Sequence, residues 1–315
     1  MINILANDGL DKSAIDRLTA SGFAVTTIKI SQENLASHIQ NYDVVVVRSA
    51  TKIRKQELEA ASKLKLVVRG GVGVDNIDIA FAETKKISVR NTPLASSNSV
   101  AEMVFAHLFC CARFLYDSNR EMYLNGELQF KELKTKYSKG IELRGKTLGI
   151  IGFGNIGIEV ARIAYGLGMQ VLAYDLRANT VEMKMDFPGN PPILISTSTI
   201  DKDFLLANSD FISVHVSGNY EVLNKSDFEK MKKGVGIINC SRGGVVNESD
   251  LIEFLNAGQI AFAGIDVFLN EPTPREDLLK HKRVSLSPHI AASTLEGQER
   301  IGNEVADIII NYFKK

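Results

Sequence analysis

The chain has 315 residues, too many for one small hydrophobic core, so its length predicts two domains. Hydrophobic residues make up 45% of it and charged residues 23%, a composition typical of globular enzymes that argues against a disordered or fibrous protein. The 37 Lys and Arg residues balance the 37 Asp and Glu residues, which excludes a global positive field for nucleic acid or an anionic membrane.

Targeting signals and metal-ligand patterns are not evident in the sequence. Residues 1–8 lack a basic segment followed by a long apolar one, so we expect a first strand there rather than a signal peptide. No uncharged apolar stretch reaches the roughly 18 residues of a membrane span. Cys110, Cys111 and Cys240 have no metal-binding spacing. We therefore expect a cytoplasmic protein with no metal, no nucleic-acid partner and no membrane contact.

The first ninety residues alternate between short apolar runs and helical patterns. This alternation predicts a parallel sheet covered by helices on both faces. The predicted strands are residues 2–5, 24–28, 44–47, 66–68 and 87–89. The predicted helices are residues 12–20, 34–39, 55–61 and 76–84.

A long helix is predicted next, at residues 97–124, after the turn Asn91-Thr92-Pro93. Ser99 is expected to cap this helix, with Glu102 three residues later completing a capping box. Residues 127–143 are polar and punctuated by glycine, which favours a loop.

A second α/β series begins near Lys146 and has the strand count of a dinucleotide-binding sheet. Its predicted strands are residues 147–151, 170–174, 211–215, 236–239, 263–266 and 284–286. Its predicted helices are residues 155–166, 203–207, 225–231 and 248–257. A last helix, residues 295–313, could pack on the first domain, which would then be discontinuous in sequence.

A glycine-rich loop joins the first strand and first helix of this second series. Gly152, Gly154 and Gly157 form G-x-G-x-x-G, in which glycine permits a tight turn, close approach of a pyrophosphate and close helix packing. Asp175 ends the next strand, where a carboxylate accepts ribose hydroxyls and repels a 2′-phosphate. The pattern predicts NAD, although Arg177 would partly offset the repulsion of NADP. The alternative is a glycine-rich turn without a ligand.

Three ionisable residues lie at or just beyond strand ends of the second sheet, the edge at which open α/β sheets bind ligands. They are Arg242, Glu271 and His289. Singly, each has an ordinary interpretation, respectively a surface ion pair, a solvated carboxylate and a loop histidine. Their order behind the phosphate loop favours a catalytic set. His215 also ends a strand, and we interpret it as structural.

Five stretches together resemble the D-isomer-specific 2-hydroxyacid dehydrogenase family, over nearly the whole chain. They are residues 69–78 (Arg-Gly-Gly-Val-Gly-Val-Asp-Asn-Ile-Asp), the phosphate loop, 239–244 (Asn-Cys-Ser-Arg-Gly-Gly), 266–268 (Asp-Val-Phe) and 288–289 (Pro-His). The resemblance implies an α/β fold of two doubly wound parallel-sheet domains. A Rossmann-type NAD-binding domain, residues 98–291, would be inserted into a flavodoxin-like substrate domain, residues 1–97 and 292–315.

The resemblance also implies hydride transfer between NAD(H) and C2 of a D-2-hydroxy acid. His289 would exchange the hydroxyl proton, as imidazole does near neutral pH. Glu271 would pair with His289 and orient its ring, and Arg242 would hold the substrate carboxylate through its planar fork. The implied cofactor contacts are Gly152, Gly154, Asn155, Ile156, Gly157, Asp175, Val216, Cys240, Ser241, Asp266, Ala291 and Ala292.

Within the family the chain is most similar to the D-3-phosphoglycerate dehydrogenases, on the segment Val-Arg-Ser-Ala-Thr-Lys at residues 47–52. The implied substrate pair is 3-phosphoglycerate and 3-phosphohydroxypyruvate, in serine biosynthesis. A phosphate needs cations, and Arg48, Lys52, Arg54 and Arg69 could form a clamp or only a solvated rim. The implied substrate contacts are Arg48, Ser49, Lys52, Gly71, Val72 and Gly73. The chain resembles a short form without a C-terminal regulatory domain, so we expect no serine feedback through such a domain.

Other interpretations remain open on the sequence. Val72 and Val216 stand where threonine is common in that branch, and Ala291 stands where glycine is usual. A hydroxypyruvate/glyoxylate or D-lactate-type 2-oxoacid reductase would keep the same chemistry. A non-enzymatic NAD(H)-sensing, corepressor-like protein would keep only the binding. The family resemblance further implies a homodimer joined through the cofactor domains, with the helix at residues 97–124 contributing.

Overall fold

The computed structural model describes residues 1–177, 179–218 and 220–314 and divides into two compact units. Unit 1 comprises Met1–Ser97 and Ala292–Lys315, and unit 2 comprises Asn98–Ala291. Lys315, the last residue of the predicted first domain, lies outside the described residues. Each unit is an α/β structure built on a parallel sheet, so the predicted fold class is confirmed.

Unit 1 contains a five-stranded parallel sheet in the order β2-β1-β3-β4-β5, the order of flavodoxin-like folds. Its strands are β1 (Asn3–Ala6), β2 (Ala24–Thr26), β3 (Val44–Val47), β4 (Leu66–Arg69) and β5 (Ser88–Asn91). Its helices are α1 (Lys12–Ala20), α2 (Gln32–Ile39), α3 (Lys55–Ala60), α4 (Ile79–Thr84) and α12 (Leu295–Phe313).

The core of unit 1 lies on both faces of this sheet. Along β3, Val44 and Val46 pack in the core cluster that includes α1 and α12, whereas Val45 and Val47 pack in the cluster that includes α2, α3 and α4. Successive residues of a strand point to opposite faces, so burial on both sides requires an uninterrupted apolar run. This is why the sequence signal for the strand was strong.

The C-terminal helix α12 packs on α1 within unit 1. A Cβ built on Gly302 would lie 2.9 Å from Cβ of Asp11, so glycine permits the close approach of the two helices. Ile301, Val305 and Ile309 form the buried stripe of α12 at a spacing of four residues. The burial of this stripe stabilises unit 1 through a segment that follows unit 2 in sequence.

Unit 2 contains a six-stranded parallel sheet in the order β13-β12-β11-β10-β6-β7 and a separate two-stranded sheet, β8-β9. Its strands are β6 (Thr147–Ile151), β7 (Gln170–Tyr174), β8 (Thr180–Met185), β9 (Ile193–Ser198), β10 (Phe211–Val214), β11 (Val235–Asn239), β12 (Ile260–Ile265) and β13 (Val284–Leu286). Its helices are α6 (Leu115–Lys136), α7 (Asn155–Gly166), α8 (Lys202–Asn208), α9 (Lys225–Phe228), α10 (Glu248–Ala257) and α11 (Glu276–Leu279), with most of α5 (Ser97–Ala112).

The region between the two series differs from its prediction. The single helix expected at residues 97–124 is two helices, α5 and α6, bent by 57°, and Ser99 lies inside α5 rather than at its cap. The loop expected at residues 127–143 is helical as far as Lys136. The Tyr137 hydroxyl donates to Asp117 at 2.6 Å, although 20 helical residues would span about 30 Å, so α6 reverses direction at its non-helical residue Gln129.

Among the described residues, no single helix combines the length and apolarity needed to cross a membrane, and only the bent α5–α6 pair meets the criterion jointly.

An antiparallel hairpin after β7 was missed. Strands β8 and β9 pair from Thr180 with Ser198 to Met185 with Ile193. The signal was present, because residues 181–185 alternate apolar and polar side chains and Pro188-Gly189-Asn190-Pro191 follows as a turn.

Candidate active site

The phosphate loop lies where the strand order of the second sheet reverses, since β6 pairs with β7 on one side and with β10 on the other. Gly152 follows β6 with φ of 93°, and a Cβ built there would lie 2.5 Å from the carbonyl oxygen of His215, just beyond β10. Only glycine tolerates both this backbone conformation and this contact. Open α/β sheets bind ligands in the crevice at such a reversal.

The other two glycines of the loop have different surroundings. A Cβ on Gly157 would lie 2.3 Å from the carbonyl oxygen of Gly152, so the packing of α7 against the loop requires glycine. Around an ideal Cβ on Gly154, by contrast, no described atom outside this residue and its chain neighbours lies within 4 Å. Helix α7 begins at Asn155, and its first N–H groups have no partner within the helix. Gly154 therefore leaves space for an anion at a helix N-terminus.

Asp175 lies beside this loop, after β7. Its Oδ2 accepts the backbone N–H of Phe153 at 2.8 Å, and its Oδ1 accepts the backbone N–H of Arg177 at 3.1 Å. Both bonds fix the orientation of a partly exposed carboxylate next to the glycines. A fixed negative charge at this position favours a ribose with free hydroxyls over a ribose 2′-phosphate.

Glu271 and His289 are in direct contact in unit 2. Nδ1 of His289 lies 2.8 Å from Oε2 of Glu271, and the two side chains are 48% and 36% exposed. The other carboxylate oxygen, Oε1, accepts the backbone N–H of Phe268 at 3.0 Å. Because Nδ1 faces an acceptor, it carries the hydrogen, and Nε2 is the nitrogen available to exchange a proton with a ligand.

Arg242 lies on the neighbouring loop, after β11. Its Nη1 donates to the carbonyl oxygen of Ser241 at 2.7 Å. A Cβ built on Gly243 would lie 1.9 Å from the carbonyl oxygen of Phe268, so the loops after β11 and β12 touch directly. Strands β11, β12 and β13 are adjacent and parallel, which puts the three predicted catalytic residues on consecutive loops at one sheet edge.

The remaining predicted cofactor residues surround the same edge, with different exposures. Asn155 and Ile156 open α7, and the backbone nitrogen of Val216 lies 3.0 Å from an ideal Cβ on Gly152. Those that are buried are Cys240, Ser241, Asp266 and Ala291. Ala292 is the first residue of the second segment of unit 1.

The Cys240 thiol is kept neutral by its surroundings. Burial, and then the nearby Asp266 carboxylate, raises the pKa of this thiol well above its ordinary value. Cys240 is therefore suited to packing and not to nucleophilic chemistry.

His215 has the features of a structural residue. Its Nε2 lies 2.7 Å from the Ser213 hydroxyl, and its Nδ1 is buried without a hydrogen-bond partner among the described residues. Burial lowers the pKa of His215 to about 3, although the residue as a whole is partly exposed. The ring is therefore neutral and cannot deliver a proton near neutral pH.

In unit 1, the loop after β3 is organised by Asp8, a residue that sequence analysis missed. Its Oδ2 accepts the backbone N–H groups of Arg48 at 2.7 Å and Thr51 at 3.1 Å, and the Thr51 hydroxyl donates to Oδ1 at 2.7 Å. Burial would raise the pKa of Asp8, but these hydrogen bonds and Lys29 outweigh it and lower that pKa. A carboxylate two residues after the end of β1 was the available signal.

The four predicted cations of unit 1 fall into two pairs. Arg54 Nη2 donates to the carbonyl oxygen of Asp75 at 2.8 Å, and Arg69 Nη1 lies 3.3 Å from the carbonyl oxygen of Gly70. Within the described part of the chain, the Arg48 guanidinium and the Lys52 ammonium have neither a hydrogen-bond nor an ion-pair partner. Ser49 and Lys52 are exposed and Arg48 is partly so.

In the glycine loop after β4, two backbone N–H groups already have partners. Gly71 has φ of 141°, and its N–H donates to the Thr92 hydroxyl at 2.7 Å. The N–H of Gly70 donates to the carbonyl oxygen of Val47 at 2.8 Å. Of residues 70–73, the N–H groups that remain for an anion are those of Val72 and Gly73.

Comparison with known proteins identifies the family. The family model described as "D-isomer specific 2-hydroxyacid dehydrogenase, NAD binding domain" matches residues 105–291. The chain belongs to the D-isomer specific 2-hydroxyacid dehydrogenase family. It is accordingly an oxidoreductase that transfers a hydride between NAD and a 2-hydroxy or 2-oxo acid, as predicted.

Individual 2-hydroxyacid dehydrogenases similar to this chain carry different names. The chain is 40% identical to "Hydroxypyruvate reductase" of Thermotoga maritima, over 96% of this chain and 95% of that one. It is 39% identical to "D-3-phosphoglycerate dehydrogenase" of Archaeoglobus fulgidus, over 99% of this chain but 58% of that enzyme. Among solved structures, a glyoxylate reductase from Paecilomyes thermophila has a TM-score of 0.83 at 25% identity, covering 100% of this chain and 96% of that one.

The residues present fit the NAD that this family binds. Gly154 leaves room at the N-terminus of α7, Gly152 and Gly157 have no space for a side chain, and Asp175 is held beside them. The predicted cofactor is thus in agreement with the family and with the shape of the loop.

Proposed function

We propose that this dehydrogenase interconverts 3-phosphoglycerate and 3-phosphohydroxypyruvate, a step of serine biosynthesis. The observation that carries the proposal is the pair Arg48 and Lys52, which follow β3 at the ligand-binding edge of the unit 1 sheet. Neither cationic side chain is neutralised by another described residue. A phosphorylated substrate supplies the anion that two such cations would bind.

We infer the following roles for the residues in unit 2. When bound, NAD supplies the hydride acceptor for C2. Nε2 of His289 takes the proton of the C2 hydroxyl during oxidation and returns it during reduction. Glu271 accepts the hydrogen on Nδ1 and keeps the ring oriented. Arg242 binds the substrate carboxylate through its planar fork.

The loop that carries Arg48 is built for fixed geometry. The backbone N–H of Arg48 donates to the Asp8 carboxylate, and the carbonyl oxygen of Arg48 accepts a hydrogen bond from the Asn76 side-chain amide at 2.7 Å. The backbone is therefore anchored on both sides while the guanidinium remains available. Each charge-assisted hydrogen bond to a phosphate would contribute about 1.5–3 kcal/mol.

A second candidate is reduction of hydroxypyruvate, or of a related 2-oxo acid such as glyoxylate or pyruvate. The observation that favours it is the 40% identity to the Thermotoga maritima hydroxypyruvate reductase. The match covers 95% of the length of that reductase, whereas the match to the Archaeoglobus fulgidus phosphoglycerate dehydrogenase covers 58% of the length of that enzyme. This substrate has no phosphate and would leave Arg48 and Lys52 in solvent.

A substrate panel tests the proposal. NADH oxidation is followed with 3-phosphohydroxypyruvate, hydroxypyruvate, glyoxylate, pyruvate and 2-oxoglutarate. We expect the highest kcat/KM with 3-phosphohydroxypyruvate, and a hydroxypyruvate value that equals or exceeds it would support the second candidate instead.

A matched pair of lysine variants tests the phosphate contact. Lys52→Ala and Lys63→Ala each remove one exposed cation from unit 1, but Lys63 precedes β4 and lies at the opposite edge of the sheet. Lys52→Ala should raise KM for 3-phosphohydroxypyruvate about tenfold, the loss of one charge-assisted bond, and Lys63→Ala should leave it unchanged. Equal effects of the two variants would contradict a specific contact.

We also propose a cytoplasmic homodimer that joins through α5 and α6. Exposed apolar side chains cluster on α6, namely Tyr123, Leu124, Leu128 and Phe130. Exposed apolar patches of this kind mark protein interfaces, and a second copy of the chain would cover the patch on α6. Sedimentation equilibrium should give a dimer that Leu128→Glu dissociates, and a monomeric wild type would refute the dimer.

Complementation of a serine auxotroph that lacks phosphoglycerate dehydrogenase tests the proposed role in serine biosynthesis.

A further inference from the structure

His107 is a buried histidine in an otherwise apolar stretch of α5, and sequence analysis did not single it out. It is 4% exposed. Its Nδ1 lies 2.9 Å from the Ser285 hydroxyl and its Nε2 lies 2.8 Å from the Ser287 hydroxyl. A Cβ built on Gly264 would lie 2.6 Å from Cβ of His107, so α5 lies directly on β12 and the ring position is fixed.

The hydrogen-bond chain continues from Ser287 to the loop that carries His289. The Ser287 hydroxyl donates to Oδ1 of Asp266 at 2.5 Å, and Asp266 is 0% exposed. Oδ1 also accepts the N–H of Ile290, and Oδ2 accepts the N–H of Ala291, each at 2.9 Å. The carbonyl oxygen of Asp266 accepts the N–H of His289 itself at 2.8 Å.

The hydrogen positions in this series of hydrogen bonds can be assigned from the number of hydrogens that each group can donate. A carboxylate only accepts, so the single hydrogen of the Ser287 hydroxyl points to Asp266. Towards His107 that hydroxyl must then accept, which requires hydrogen on Nε2. Burial lowers the pKa of His107, against the opposing effect of Asp266, so the ring is neutral and Nδ1 accepts from Ser285.

Asp266 depends on these donors because no salt bridge reaches it within the described residues. A buried carboxylate without a cation is stabilised only by hydrogen bonds. The donors are the Ser287 hydroxyl and two N–H groups of the residues that follow His289. The same bonds hold His289 in a left-handed conformation, with φ of 54°, that a residue with a side chain rarely adopts.

We propose that His107 is a positioning residue that acts through Ser287 and Asp266 to hold the backbone of His289, Ile290 and Ala291. The proposal rests on the assignment of His289 as acid and base under the proposed function. The neutral imidazole fixes the direction of the Ser287 hydroxyl, and that hydroxyl and the two amides fix the carboxylate. The loop is thereby set so that Nδ1 of His289 meets Glu271.

Ser287→Ala and Ser285→Ala form the matched test. Each removes one hydroxyl that contacts His107, but only Ser287 leads to Asp266. In the protein without cofactor, hydrogen exchange of the Ile290 and Ala291 amides should become at least about tenfold faster in Ser287→Ala and stay unchanged in Ser285→Ala. A tenfold change corresponds to about 1.4 kcal/mol, near the contribution of one hydrogen bond. Equal exchange in the two variants would overturn the proposal.

Rescue at position 107 separates donation from packing. Gln places an amide N–H near the position of Nε2 and should keep kcat within about twofold of wild type. His107→Asn can reach only the Ser285 side and should lower kcat about tenfold. Ser287→Ala should lower kcat by a similar factor. If Gln and Asn behave alike, His107 does not act through Ser287.

A measurement on the wild type needs no variant to fold. ¹⁵N-histidine NMR should show His107 neutral with hydrogen on Nε2, and the Nδ1–H tautomer or a charged ring would overturn the assignment. The exchange and tautomer results do not require turnover. A wild type that reduces no 2-oxo acid would therefore refute the proposed function. The positioning role of His107 would then be decided by these two measurements.

Discussion

Gly154→Ala should separate nucleotide binding from folding. An ideal Cβ at this position meets no described atom within 4 Å, and φ of −88° suits alanine, so the folded protein accepts the methyl group. We expect the free energy of unfolding to change by less than about 1 kcal/mol, the scale of an N-cap substitution. The methyl group would instead occupy the space in front of α7.

The magnitude for NADH follows from hydrogen-bond geometry. A carbon atom keeps other atoms about 3.5–4.0 Å away, so the new methyl group should push the pyrophosphate outward by about 1 Å. That displacement stretches at least one N–H···O bond beyond about 3.2 Å. Loss of one charge-assisted bond, at about 1.5–3 kcal/mol, raises Kd for NADH roughly 10- to 100-fold.

Gly166→Ala, at the other end of the same helix, is the control. An ideal Cβ at Gly166 also meets no described atom within 4 Å outside its chain neighbours and the backbone of its own helix, but this residue is the last of α7. Alanine there should stabilise the helix by about 0.5–1 kcal/mol and leave Kd for NADH unchanged. Fluorescence titration gives Kd, and urea unfolding gives stability. Unchanged NADH affinity in Gly154→Ala, with both variants folded, would refute the placement of the pyrophosphate.

Two further predictions concern ionisable groups. Glu271→Gln keeps the contact with Nδ1 of His289 but removes the negative charge, so kcat should fall about tenfold while Kd for NADH stays unchanged. Glu253 is an exposed glutamate elsewhere in unit 2, and Glu253→Gln should change neither quantity. An unaltered kcat in Glu271→Gln would contradict the pairing. His215 has a pKa lowered by burial to about 3, so below about pH 6.5 the unfolded chain binds a proton that the folded chain does not. The contribution of the neutral His215 ring to the free energy of unfolding is complete above that pH. It is lost as the pH falls, at no more than about 1.4 kcal/mol per pH unit. Between pH 7 and 5, urea unfolding should therefore show up to about 2 kcal/mol less loss of stability in His215→Gln than in wild type, and parallel losses would contradict a neutral buried ring.

Sequence patterns predicted the regular elements well where burial was two-sided. Residues 44–47 and 147–151 are apolar throughout or nearly so, and both match their strands, β3 and β6. The helix Asn155–Gly166 was also predicted to the residue, because the glycine motif fixes its start and Gly166 ends it. In these segments the local pattern and the tertiary environment favour the same structure.

Helix α6 was predicted poorly for a physical reason. Its polar composition is as compatible with an exposed helix as with a loop, and what decides between them is contact within the folded chain. Lys136 forms a salt bridge with Glu121 and Tyr137 donates to Asp117, across the reversal at Gln129. Such pairings between residues distant in sequence leave no periodic signal.

The candidate site shows the same division. Glycine motifs and strand-end residues pointed to Gly152–Gly157, Glu271 and His289, since their chemistry is visible in residue type and order. Asp8 and His107 were missed because their importance lies in hydrogen bonds to residues far along the chain. A polar side chain within an apolar stretch, as at His107, was the remaining clue, because burial obliges it to find partners.

We propose that His289, held by Glu271, carries the proton that accompanies hydride transfer. The most direct test of this proposal is kcat for NADH-dependent reduction of the preferred 2-oxo acid by wild type and His289→Ala, with Kd for NADH measured on the same samples. We expect kcat to fall 10²- to 10⁴-fold, the usual contribution of general acid–base catalysis, with NADH affinity within twofold. A His289→Ala enzyme that retains wild-type kcat would contradict the account.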